Sequence, residues 1–138
     1  MTTLSEAREA IYLKFLTDYT ALPAASITAD NEEFDPPNGA AWGRLSVRHT
    51  GSVQESLGGI GLRKFTRIAS CFFQIFTPQN QGAAEADTLA QAARTVLEGV
   101  TLSGNSIRFT NSVIRETGVE NGWFGVVVES FFEYTETK

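Results

Sequence analysis

Cysteine and histidine are almost missing from this sequence, with one of each in 138 residues. Cys71 has no partner for an internal disulfide, which fits a reducing compartment. A nucleophile–histidine–carboxylate triad would have to be built around His49, and a zinc site around His49, Cys71 and two carboxylates at no close ligand spacing. No metal and no cofactor is therefore expected. Basic residues are few as well: 11 Lys and Arg stand against 16 Asp and Glu, and the net charge of −5 argues against nucleic acid or anionic lipid as the main partner. Long apolar runs are absent. The first apolar stretch is broken by Glu6, Arg8, Glu9, Lys14 and Asp18, and nothing reaches the ~18 residues of a membrane span, so a soluble, cytoplasmic protein without a signal peptide is expected. There is no internal repeat, and residues 1–138 read as one domain that buries roughly two-thirds of its unfolded surface.

What the sequence does contain is a strand that is apolar on both faces, Lys64 to Phe76. Side chains alternate across a strand, so Phe65, Ala69, Cys71, Phe73 and Ile75 point one way and Ile68, Phe72 and Phe76 the other. In so small a protein the helices can cover one face of the sheet. The second face then needs a further layer or another copy of the chain.

The other elements follow from periodicity. Thr3-Leu4-Ser5-Glu6 has capping-box spacing and predicts a helix start, with Leu4, Ala7, Ile11, Phe15, Tyr19 and Leu22 as its apolar stripe as far as about Pro23. Residues 28 to 41 combine Asp30, Glu32, Glu33 and Asp35 with Pro36-Pro37-Asn38-Gly39 and predict a mobile acidic loop. Trp42 to Thr50 reads as a strand with Leu45, Val47 and His49 on one face and Arg44, Ser46 and Arg48 on the other. The glycine-rich stretch 51–61 is too long for a tight turn and predicts a projecting flexible arm. A second helix opens with Glu85 and Asp87 and carries Leu89, Ala93, Val96, Leu97 and Val100 to a stop near Gly99. A third strand places Ile107, Phe109 and Val113 on one face. It joins through residues 117–122 to a fourth, Trp123 to Tyr134, on which Phe124, Val126, Val128, Phe132 and Tyr134 share a face. The expected fold is α+β, with two helices packed on one face of a mostly antiparallel four-stranded sheet.

Motifs for chemistry are weak. His49 shares its strand face with Leu45 and Val47 and reads as a packed histidine with one hydrogen bond. Gly59-Ile60-Gly61 lacks the third glycine of a nucleotide loop and leads into a strand rather than a helix. Counted from Asp30, the sixth and twelfth places of a calcium loop hold Asp35 and Ala41 instead of glycine and glutamate. Arg44, Arg48, Arg63, Lys64 and Arg67 read as surface ion pairs or as a charged contact surface for a partner subunit, with Arg67 expected opposite Glu129. A different class of function, a small-molecule site or enzyme lined by Trp42, Trp123, His49 and Arg67, is the alternative that these residue types allow.

The run Phe72-Phe73-Gln74-Ile75-Phe76-Thr77-Pro78 is followed by Gly82 and an alanine-rich helix. Ile107-Arg108-Phe109, Gly122-Trp123-Phe124 and a closing strand Val126-Val127-Val128-Glu129-Ser130-Phe131-Phe132-Glu133-Tyr134 come next. In this pattern the chain resembles the tail terminator and tail-completion proteins of long-tailed bacteriophages and the phage-related uncharacterised families grouped with them. The resemblance spans residues 3 to 136 in element order and is sharpest over 64 to 134. It implies a non-enzymatic virion subunit that forms a six-membered ring on the head-proximal end of the tail tube, stops tube growth and offers a surface for the head connector. Other head–tail adaptors and minor tail proteins share its size and are the neighbouring alternative. The implied partners are further copies of the chain, the tail tube protein and the head connector protein, with DNA passing through unbound and no membrane. The implied location is the host cytoplasm during assembly and the virion tail afterwards. Under this resemblance Gln54, Glu55, Arg63 and Lys64 are the polar handles of an arm at the ring contact or lumen. Asp30, Glu32, Glu33 and Asp35 form an acidic loop facing the lumen, where carboxylates would repel passing phosphates.

Overall fold

The computed structural model describes residues 3–29, 34–35, 39–79, 82–102 and 107–138. Its elements are α1 (Leu4–Asp18), a 3-10 turn (Ala24–Ser26), β1 (Ile27–Ala29), β2 (Trp42–Gln54), β3 (Lys64–Pro78), α2 (Ala84–Leu97), β4 (Thr101–Leu102), β5 (Ile107–Glu120) and β6 (Trp123–Thr137).

Thr3 caps α1 as its spacing predicts, its hydroxyl accepting from the Glu6 amide. The helix ends at Asp18, earlier than the apolar stripe implied, because Tyr19 turns to extended backbone. Tyr19 and Leu22 nevertheless stay in the core, while Leu4 is exposed. On α2 the buried face is Ala86, Leu89, Ala90, Ala93 and Leu97. Three alanines on that face let the helix backbone lie close to the sheet. Both helices pack on the same face, against Leu45, Val47, Cys71, Phe73, Ile75, Val126, Val128 and Phe132. Phe73 is the centre of this core: its ring lies 4.5 Å from Phe15 and 5.1 Å from Tyr19. Tyr19 then ties the two helices together by donating its hydroxyl to the Leu89 carbonyl at 2.9 Å.

Among the described residues the sheet has six strands in the order β1-β2-β3-β6-β5-β4, not four, and it is mixed, because β1 runs parallel to β2. The two additional strands are three and two residues long. Such short pieces carry no alternation from which a sequence reading could find them. The four long strands pair antiparallel as expected.

Three bulges shift the registers, one in β2 and two in β5. In β2 the register slips between His49 and Gly51, so the strand continues through Gly51 and pairs as far as Gln54 opposite Phe65. The arm is therefore shorter than 51–61 suggested, since glycine at a bulge imitates the onset of a loop. In β5 the slip between Phe109 and Ser112 sends Ser112 to the core side, opposite Ser130, and Val113 to the other side, opposite Glu129. Val113 thus leaves the face of Ile107 and Phe109. The β5–β6 hairpin closes through Asn121 and Gly122, both at positive φ (51° and 84°), the backbone of a two-residue type I′ turn.

Candidate functional site

The inner face is consumed by the helices, so function has to be sought on the other face and at the sheet ends. Cys71 is fully buried and its thiol is pushed up to about 12 by that burial, which makes it unreactive. His49 is half-buried, with Nε2 2.8 Å from the Tyr134 hydroxyl, and this is the packed, once-bonded histidine that its position suggested. Burial first, then the positive charges of Arg8 and Arg67, lower its pKa below the ordinary 6.5. Folding therefore favours the neutral ring. That contribution is complete above pH 6.5 and is lost as pH falls through the lowered folded value. His49→Gln should flatten the fall in Tm below pH 6.5; Tm curves of variant and wild type that stay parallel across that range would contradict the assignment.

Arg67 does not meet Glu129. Register places Arg67 opposite Tyr134, on the helix side, and Glu129 opposite Phe72, on the other. Arg67 instead donates to Glu136 from Nε (3.1 Å) and an Nη (2.6 Å), and to Ser52, while Glu129 takes Arg115 at 2.6 Å. The pocket imagined from Trp42, Trp123, His49 and Arg67 does not form either. Trp42 stacks on Phe76 at 4.3 Å and meets Trp123 edge-on at 6.0 Å on the uncovered face. His49 lies seven positions along β2 from Trp42, about 23 Å at strand rise, and faces the helices. Among the described residues no three His, Cys, Asp or Glu gather to hold a metal, and no helix is long and apolar enough to cross a membrane.

The uncovered face is half apolar, as the strand patterns implied. Ile68 is 41% exposed, and Phe72, Phe76, Trp123, Val127 and Phe131 are half-buried with neither helix above them. Between them lie the pairs Arg115–Glu129 and Arg108–Glu133, together with Arg44 and Arg48. Phe34 packs 5.1 Å from Trp42 at one end of this face.

The arm is residues 55–63. Its root is well tied: the Glu55 amide donates to the Lys64 carbonyl at 2.8 Å, the Lys64 amide to Ser56 Oγ at 2.9 Å, and Lys138 and Arg63 bond each other's carbonyls. Arg63, Arg67 and Lys138 surround the Phe65 ring at 5.9, 5.1 and 5.7 Å. Beyond this root stand Leu57, Ile60 and Leu62 at 98%, 92% and 74% exposure. The four polar residues singled out from the sequence lie at the root: Gln54 bonds the Ser56 carbonyl, Glu55 and Lys64 flank the opening, and Arg63 bonds Lys138. The apolar tip was the feature missed. Its signal was three large aliphatics in a glycine-rich loop too short to bury them. Of the acidic loop, Asp35 is exposed, and Asp30, Glu32 and Glu33 lie outside the described residues.

Comparison with known proteins adds to this geometry. A family model described as phage tail terminator protein matches residues 7–117, which is most of the chain up to the end of β5. A solved protein chain 16% identical in sequence superposes with a TM-score of 0.67 over 100% of this chain and 99% of its own, a likeness of fold. No curated protein matches.

Proposed function

The chain belongs to the phage tail terminator family, a family of structural tail proteins, and from that premise we propose that copies of it close into a six-membered ring on the head-proximal end of the tail tube. The ring stops tube growth and presents a surface to the head connector. Assembly takes place in the host cytoplasm and the product stays in the virion tail. The observation that carries this reading is the arm: three large aliphatic side chains held on a tied hairpin root are costly to keep in water and suited to burial against another molecule. A head-to-tail ring needs two unlike surfaces per subunit, and the arm supplies one of them. The half-apolar sheet face gives the assembly a second surface to cover, for the tube or the connector. The acidic loop faces the lumen in this reading, and the −5 carried by each copy keeps the channel from holding DNA.

The test is polymerisation of purified tail tube protein with and without this chain. Tubes should come out shorter and of narrower length distribution as the chain is added. Tubes of unchanged length, with the chain bound to head connectors alone, would assign it to an adaptor instead.

A further inference from the structure

The outward face of α1 is unlike an ordinary solvated helix surface. Ala7, Ile11 and Phe15 are its buried stripe. On the opposite side Glu6, Glu9, Leu13 and Leu16 fall at spacings of three, four and three, which places them in one band along the helix. Leu13 is 67% and Leu16 46% exposed, and Glu6 and Glu9 are exposed with no ion pair among the described residues. The band is thus apolar at one end and anionic at the other. The arm has the complementary arrangement: Leu57, Ile60 and Leu62 at the tip, then Arg63 and Lys64, neither of which has a carboxylate partner among the described residues.

We propose that the arm of one copy seats on this α1 band of the next copy, aliphatic tip on Leu13 and Leu16, Arg63 and Lys64 on Glu6 and Glu9. This rests on the reading that copies assemble head to tail. The competing seat, the uncovered sheet face, has the wrong sign. Its carboxylates Glu129 and Glu133 already hold Arg115 and Arg108, and Arg44 adds charge of the same sign as the arm root. Because arm and α1 are different patches, each copy gives one and receives one, the head-to-tail contact from which a ring is built when the rotation per copy closes.

The experiment uses the full-length chain, with association read by sedimentation and by binding to tail tube ends. Arg63→Glu/Lys64→Glu and Glu6→Lys/Glu9→Lys should each weaken association by roughly tenfold or more. A mixture of the two variants, or one chain bearing all four changes, should recover most of it, because each arm then meets a helix of opposite sign. Far-UV dichroism verifies the fold, and the milder Glu6→Gln/Glu9→Gln should give an intermediate loss. Ile60→Cys copies mixed with Leu13→Cys copies should form a disulfide-linked pair on oxidation, against a silent background because Cys71 is buried. No linkage, a linkage of Ile60→Cys to Phe72→Cys instead, or charge-reversed variants that associate like wild type would overturn the proposal while leaving termination itself intact. Wild type that neither associates nor shortens tubes would overturn both.

Discussion

Replacing residues 56–63 by Asn-Gly should yield a protein that folds as before and no longer shortens tail tubes. The fold is expected to survive because Glu55 and Lys64 already face each other through the Glu55 amide and Lys64 carbonyl, in line with the Gln54–Phe65 pair. Asn-Gly supplies the two left-handed residues that a tight hairpin turn requires, as Asn121 and Gly122 already do at the other end of the sheet. The change removes Leu57, Ile60 and Leu62, none of which contributes to the core. The Tm should stay within about 5 °C of wild type, since surface changes rarely cost much. The effect on assembly should be near total, because a ring with one of its two unlike surfaces removed has no partial form. Shortened tubes with the trimmed protein would show that the arm is not the contact.

The second large effect lies inside the fold. Phe73→Ala should lower stability by about 3–5 kcal/mol, a large share of what a domain of this size has. The ring is fully buried, packs on Phe15 and Tyr19, and lies beneath Gly43, where a Cβ would fall within 2.6 Å of its Cε1. Gly43→Val should therefore be comparably damaging from the other side of the same contact. Thermal unfolding decides the matter: a drop in Tm of roughly 10–20 °C is expected for each, and a change of only a degree or two would mean that this junction of α1 and the sheet is not the core.

The parts of this molecule that were legible in the sequence are those with long periods. Twelve or more residues of alternation in β3 and β6 identified which side chains face the helices, and Thr3 with the stripe Ala7, Ile11 and Phe15 identified α1. Strands of three and two residues were invisible, and so was the parallel pairing of β1. Register was the other blind spot. A single additional residue at the first β5 bulge reverses the side chains from there to the second slip, between Glu116 and Gly118, which moved Val113 to the opposite face; the Arg67–Glu129 pair failed because the two residues lie on opposite faces of the sheet. The arm was found by its length and glycines, but its chemistry was read from its polar residues. The structure shifts the weight to Leu57, Ile60 and Leu62, because backbone and side-chain bonds engage the polar residues at the root and leave the aliphatic ones in water.

Electron cryo-microscopy of tail tube ends bearing the wild-type protein tests the central claim most directly. Residues 55–63 of every copy should be buried against the adjacent copy in a closed ring at the head-proximal end. Arms standing free in solvent, on subunits held together by other surfaces, would contradict it.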